Sequence, residues 1–484
     1  FWIFIVSCVW LPTAPPGPLA SDAAAVGCCS GGLLWASNPP LALGPPLCYS
    51  ISELRVARIG GRMSTLLKNA SIFTREGFRK QDVLIADHRV LFVDSMNMNT
   101  TADAVYDLNG LFIIPGFVDV HVHLREPGFS YKETIRTGTE AAAHGGYTAV
   151  CAMPNLKPVP SNLADLQVEL DAIRKDALVH VYPYGAITEH QTGRGAIGRM
   201  EEIAPFVIAY SDDGKGMQEE ATMREAMMRA KKLDRMIVAH CEDETELRPG
   251  GCIHEGEYAR LHHHVGINSA SEWKQVERDV RLAEETGARY HVCHVSTKES
   301  VDIIREAKKR GVRVTAETGP HYLMFTDMDL QESGSWKMNP PIRSAEDRHA
   351  LLEGIKDGTI DCIITDHAPH SAEEKSRGLD KSAFGIVGLE TCFPALYRNL
   401  VLRDPEHPDS GKGAITLEKL LELMCVNPRK TFGIAGPQYM EEGVEADLTV
   451  LDLEKVWTVD STKFYSQGHS TLYDGMEVQG EVVK

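Results

Sequence analysis

The chain has 484 residues, 43% hydrophobic and 24% charged, an ordinary globular composition that excludes a disordered, collagen-like or coiled-coil polypeptide. That length predicts two or three domains, or one large barrel with an accessory domain. Acidic residues number 68 against 50 basic, and the resulting −18 opposes a nucleic-acid footprint, which needs clustered positive charge.

Residues 1–62 differ in character from the rest of the chain. Phe1 to Leu11 is apolar, a Pro/Ala/Gly-rich stretch runs on to Pro46, and no Lys or Arg precedes Arg55. A secretory signal has a basic region ahead of its apolar core, and the apolar run is too short for a membrane span. The segment reads as upstream or added sequence ahead of an enzyme start at Met63-Ser64-Thr65, with a targeting segment or disordered extension as alternatives. Of the 11 cysteines, Cys8, Cys28, Cys29 and Cys48 fall in this leader; the others sit singly in apolar runs with no CxxC pair. Such cysteines are read as small core residues in a reducing, cytoplasmic compartment.

From Met63 to Gly116 short strands are expected at Leu66–Ile72, Asp82–Ile85 and Val90–Val93, the first part of an accessory β unit. Over 117–435 apolar strands alternate with amphipathic helices. The strands are Val118–His123, Thr148–Ala152, His180–Ala186, Val207–Ser211, Ile237–His240, His291–His294, Val312–Glu317 and Cys362–Thr365. The helices include Leu163–Lys175, Glu219–Lys232, Ser271–Gly287, Lys298–Arg310 and Ala345–Lys356. Eight such units predict an α/β fold, a (β/α)8 TIM barrel. An open doubly wound sheet would carry a glycine-rich phosphate turn after its first strand, and here that strand ends His-Val-His. From 436 to 484 short strands return at Asp447–Leu453 and Val478–Val483, expected to complete a small β-sandwich with 63–116; the stop at Lys484 leaves that unit short of a strand.

Polar residues collect at the strand ends, where barrel enzymes build their sites. The first strand offers His121 and His123 on one face, the fourth Asp212 and Asp213, the fifth His240, the sixth His294 and the eighth Asp366. Imidazole with carboxylate and no thiolate suits zinc. Six donors exceed the need of one tetrahedral ion that keeps an open position, and suit a pair. Taken singly, a His-x-His or an Asp-Asp-Gly is unremarkable, the latter usually a turn; what counts is their joint arrival in strand order. His262-His263-His264 looks more like a metal tract but lies between helices, and is read as a solvated loop.

The run Asp119-Val120-His121-Val122-His123-Leu124-Arg125-Glu126-Pro127-Gly128 resembles the signature of the dihydroorotases, within the cyclic amidohydrolases. Met153-Pro154-Asn155, Lys337-Met338-Asn339-Pro340-Pro341, Thr365-Asp366-His367-Ala368-Pro369-His370 and Phe384-Gly385-Ile386-Val387-Gly388-Leu389-Glu390 are similar to that family too, the longer bacterial type most of all. The resemblance implies reversible closure of N-carbamoyl-L-aspartate to dihydroorotate, a step of pyrimidine biosynthesis. It implies two zinc ions, one on His121, His123 and Asp366, the other on His240 and His294, with Asp213 bridging. From the residues alone Asp212 and Asp213 stay undecided, and Lys215 as a carboxylated bridge is the minor alternative. Asp366 is implied as the proton carrier. His123, Arg125, Asn155 and His370 are implied as contacts to the substrate and its α-carboxylate, with Asn339 and the Phe384-Gly385 backbone on the ring. A guanidinium fork does suit a carboxylate, and the rival for Arg125 is a surface salt bridge to Glu126. Ser371–Ala383, polar and directly after the site, is read as either a lid or a plain surface loop.

The expected partner is a small molecule, with no nucleic acid and no membrane; a homodimer and association with aspartate carbamoyltransferase follow from the resemblance. Two competing functions are a hydantoinase-, dihydropyrimidinase- or allantoinase-like hydrolase and a non-catalytic scaffold for aspartate carbamoyltransferase. Arg125 discriminates against the first and the complete ligand set against the second.

Overall fold

The computed structural model describes residues 64–93 and 101–483; the leader and its four cysteines lie outside them. Strands β1 (Thr65–Thr74), β2 (Gly77–Ala86) and β3 (Arg89–Val93) form an antiparallel meander. Strands β4 (Ala104–Asp107) and β5 (Phe112–Pro115) pair in parallel with successive halves of β1. Neither was expected from the sequence, because Ala-Val-Tyr-Asp and Phe-Ile-Ile-Pro are too short to show a period.

After Gly116 the strands turn parallel: β6 (Phe117–Val122), β7 (Tyr147–Ala152) and β8 (His180–Pro183) form one sheet. The strands β9 (Gly185–Ala186), β10 (Tyr210–Ser211) and β11 (Met236–Ala239) begin a second. A two-stranded excursion, β12 (Ile253–His254) and β13 (Gly266–Ile267), interrupts the sequence before β14 (Arg289–Val292), β15 (Val314–Thr318) and β16 (Cys362–Ile363) complete that sheet. Only Tyr184 separates β8 from β9, so the two parallel sheets run on through one interrupted strand. At the other end a parallel bridge joins Val122 to His367, and the His123 N–H donates to the His367 carbonyl at 2.8 Å. Every residue of β6 and β7 is buried, which is why these strands read as apolar runs rather than alternations. The seven described cysteines are all buried and free, as expected of small core residues.

The five expected helices are present at 163–176, 220–232, 270–286, 298–309 and 345–357. Asn162, Thr297 and Ser344 cap three of them by accepting N–H groups of the first turn. A further helix, Ile135–His144, had not been expected: apart from Ile135 at its start, its buried face is Gly138, Thr139, Ala141, Ala142 and Ala143 rather than large apolar residues. Gly138 packs closely there: a Cβ would sit 2.5 Å from the Leu124 side chain, which would have to shift.

The C-terminal strands β17 (Leu448–Thr458) and β18 (Glu477–Val482) return to the N-terminal unit, β17 pairing with β5 to give one branched seven-stranded sheet. Leu67, Ile72, Val83, Val90, Leu448 and Val450 form its own apolar cluster. Arg429, fully buried, ties this unit to the parallel strands: it donates to Gly116 O at 2.7 Å and pairs with Asp447 at 3.0 Å. Arg429→Met leaves the buried Asp447 without its cation, which typically costs about 3–5 kcal/mol. Urea unfolding should show the midpoint falling accordingly, and an unchanged midpoint would contradict the assigned role.

Candidate metal centre and substrate pocket

The ends of the parallel strands bring His121, His123, Asp213, His240, His294 and Asp366 together, all buried. Asp213 sits in the middle. Its Oδ1 lies 3.4 Å from His121 Nε2, 3.4 Å from His294 Nε2 and 3.7 Å from His240 Nδ1, and its Oδ2 lies 3.5 Å from His123 Nε2. Asp366 Oδ1 approaches His123 Nε2 at 3.2 Å and His121 Nε2 at 3.6 Å. Two triads result, His121/His123/Asp366 and Asp213/His240/His294, each with its ligand atoms within 4.8 Å of one another. These are the two groups expected from the sequence, and Asp213 is the carboxylate between them.

Asp212 has a different task. Its carboxylate turns back to accept from the Ile187, Thr188 and Gly193 N–H groups at 2.8, 3.0 and 3.0 Å and from the Thr188 hydroxyl. It therefore shapes the loop after β9, and adjacent strand residues face opposite ways as the pleat requires. Lys215 lies beyond the left-handed Gly214 and, among the described contacts, has none with the six residues of the two triads.

Donor chemistry and burial both fit a divalent cation. His121 Nε2 and Asp213 Oδ1 are buried without a hydrogen-bond partner; such orphans are rare in folded proteins, and a cation satisfies imidazole and carboxylate at once. Burial by itself would raise the Asp366 carboxyl, but the His123 hydrogen bond and the His121 charge hold it at about 2. Burial likewise opposes ionisation of Asp213, and His121 outweighs it, holding the group well below the usual carboxylate range.

Three contributors went unread in the sequence. Glu317, at the inner end of β15, accepts from His121 Nδ1 at 2.6 Å and from His291 Nε2 at 3.0 Å, fixing which His121 nitrogen faces the centre. Its position as the last residue of an expected strand was the available signal. Asp119 accepts from the His121 N–H at 2.9 Å and the Thr365 N–H at 3.0 Å, so one carboxylate aligns the two strands that carry His121 and Asp366. Cys293 also comes within ligand range of His121 and Asp213; burial pushes its thiol well up, which keeps it a protonated neighbour.

The expected substrate contacts surround this centre. Arg125, His294 and Asp366 all take left-handed backbone, with φ of 60°, 31° and 48°. Non-glycine residues rarely adopt it, and it gathers at functional sites. Arg125 donates to Pro369 O at 3.2 Å and forms no ion pair among the described residues; Glu126 instead accepts from the Ile135 N–H at 2.9 Å. Asn155 donates to Asp213 O at 2.6 Å, its Oδ1 buried and unpartnered, and Asn339 donates to Glu242 at 2.9 Å. His370 accepts from Lys132 Nζ at 3.2 Å and donates from Nε2 to Phe384 O at 2.8 Å. Burial first, then Arg125, Lys132 and Lys375, push this imidazole down to about 3, so it is neutral. Gly385, at φ 124°, passes so close to Ala368 that a Cβ would lie 2.7 Å from that side chain.

His263 and His264 lie in the expected loop, and only His262 falls inside a helix. His262 ends the helix Glu257–His262 and stacks on Tyr258 with ring centroids 3.9 Å apart; His264 pairs with Glu332 at 3.0 Å. The Ser371–Ala383 segment folds into two one-turn helices, Ala372–Lys375 and Gly378–Lys381.

Residues 110–300 match a family model described as dihydro-orotase-like. A dihydroorotase of Fusobacterium nucleatum is 47% identical over 416 residues, 86% of this chain and 95% of that protein. One of Halalkalibacterium halodurans is 47% identical over 422 residues, with the same coverage. The chain belongs to the dihydroorotase family. Its mixed α/β fold is similar to that of an L-hydantoinase from Arthrobacter aurescens, with a TM-score of 0.74 at 26% identity over 87% of this chain and 94% of the other. A dihydropyrimidinase from Brevibacillus agri gives 0.73 at 21% identity over 87% and 93%. No helix among the described residues is long and apolar enough to cross a membrane.

Asp213→Ala should lower bound metal, whereas Asp212→Ala should leave the stoichiometry intact and instead loosen the 187–193 loop. Elemental analysis of the two purified variants decides this, and retained metal in Asp213→Ala would overturn the bridging position.

Proposed function

We propose that this chain is a zinc-dependent dihydroorotase, interconverting N-carbamoyl-L-aspartate and dihydroorotate in pyrimidine biosynthesis. The observation that carries the reading is the unpaired Arg125 guanidinium beside two His/Asp triads; the dihydroorotase relatives at 47% identity support it. In this reading His121, His123 and Asp366 would hold one zinc ion and His240 and His294 the other, with Asp213 serving both. Bound zinc polarises an amide carbonyl and makes water a better nucleophile at neutral pH.

The residues do the rest. In the hydrolytic direction Asp366, kept ionised, takes the proton of the attacking water and passes it to the departing ring nitrogen. Arg125, Asn155 and His370 orient the α-carboxylate, and His123 contacts the substrate. Asn339 and the Phe384–Gly385 backbone hold the ring. The architecture proposed around this site is a (β/α)8 barrel over 117–435, with an accessory β-sandwich from 63–116 and 436–484. The parallel bridge from Val122 to His367 and the sheet shared by β5 and β17 support it. The cytoplasmic location, homodimer and association with aspartate carbamoyltransferase rest on family resemblance. The hydantoinase-like fold keeps cyclic-imide hydrolysis as the second reading.

Zinc-loaded protein should hydrolyse dihydroorotate far faster than hydantoin, and the opposite preference would move the assignment to the second reading. Arg125→Ala should lower kcat/KM for dihydroorotate by a factor of hundreds at unchanged zinc content; loss of zinc would refute its role. Ring closure consumes one proton, so the equilibrium should move towards the ring about tenfold per unit fall in pH near neutrality.

A further inference from the structure

Lys375 is buried, yet among the described residues no carboxylate pairs with it. Its Nζ donates to three backbone carbonyls: Lys337 at 3.2 Å, Ala383 at 2.8 Å and Gly385 at 2.6 Å. The acidic neighbour, Glu374, faces elsewhere, pairing with Lys132 at 2.9 Å. Two of the three acceptors belong to segments on the substrate side of the centre, the turn leading to Asn339 and the Phe384–Gly385 strip. Those segments also join directly, through Gly385 N–H to Lys337 O at 3.0 Å. Lys337, also buried, adds a second brace: its Nζ donates to Asp380 O at 2.7 Å and lies 4.4 Å over the Phe384 ring.

A buried ammonium without a counter-ion is costly. Burial together with Lys337 lowers Lys375 to about 7, so near neutrality its charge is only partly present and a bound anion favours it. Arg125, Lys132 and Lys375 all act on His370, and of these only Lys132 has a carboxylate partner among the described residues, Glu374. A ligand with one or two carboxylates supplies the missing negative charge, whereas an uncharged cyclic imide does not.

We propose that Lys375 is a positioning residue for substrate: its ammonium ties the Lys337–Asn339 and Phe384–Gly385 segments into one substrate-facing edge and adds a buried positive charge that a substrate carboxylate balances. This rests on the dihydroorotase reading above. Lysine length is needed to reach three carbonyls from one point, and an apolar residue of equal size would leave the Ala383 and Gly385 carbonyls without the donor it supplies.

The test is steady-state kinetics with dihydroorotate on the zinc-loaded full chain and its Lys375→Met, Lys375→Gln and Lys375→Arg variants. Lys375→Met and Lys375→Gln should raise KM tenfold or more with kcat within about threefold of the parent and zinc content unchanged, because metal and proton carrier are untouched. Lys375→Arg, which keeps charge and several donors, should recover most of the KM. Should the apolar variant fail to fold, the Gln and Arg pair carries the same comparison. A parental KM in Lys375→Gln overturns the proposal. So does an equal fall of kcat in all three variants, which would make Lys375 a packing residue. A parent protein inert towards dihydroorotate would refute the reading of function instead.

Discussion

One carboxylate, that of Asp213, stands between four imidazoles in a place where water scarcely reaches. At distances of 3.4 to 3.7 Å its oxygens are too far for strong hydrogen bonds to His121, His123, His240 and His294, and too near to ignore them. Such spacing leaves room for a cation between donor atoms, and burial makes an unfilled arrangement expensive. The strands that carry the site are therefore held by groups with no other task. Asp119 locks the first strand to the last through Thr365, Glu317 fixes His121, and Asp212 anchors the loop beside its neighbour.

Much of this was legible in the sequence because it depends on residue type at strand ends. A histidine or aspartate that stops an apolar run is conspicuous, and all six residues that the structure gathers into the two triads were singled out that way. The parallel strands and five of the helices showed themselves as buried runs and amphipathic periods. What escaped has a common physical character. Glu317 and Asp119 lie inside strands, where a carboxylate reads as a break in the apolar pattern, and only the partners across the sheet reveal its use. The helix Ile135–His144 escaped because close packing against Leu124 demands small residues, which blunts the amphipathic signal. The choice between Asp212 and Asp213 depended on which way one peptide faces, and no spacing rule contains that.

The substrate side follows a different logic from the metal side. Around the metal centre, opposite charges are packed so closely that Asp366 stays ionised although burial opposes it. Around Arg125, Lys132 and Lys375, cations gather with Glu374 as the one acidic residue that pairs among them. His370 answers that field by giving up its charge, and burial together with Lys337 brings Lys375 down to about 7. The pocket thus has two halves of opposite need, one lacking cations and the other lacking anions. A neutral ligand would leave the cationic half without its anion. An anionic substrate with bound divalent metal completes both, and this complementarity, more than any single hydrogen bond, distinguishes a carboxylate-bearing ring from the neutral imides handled on the same fold.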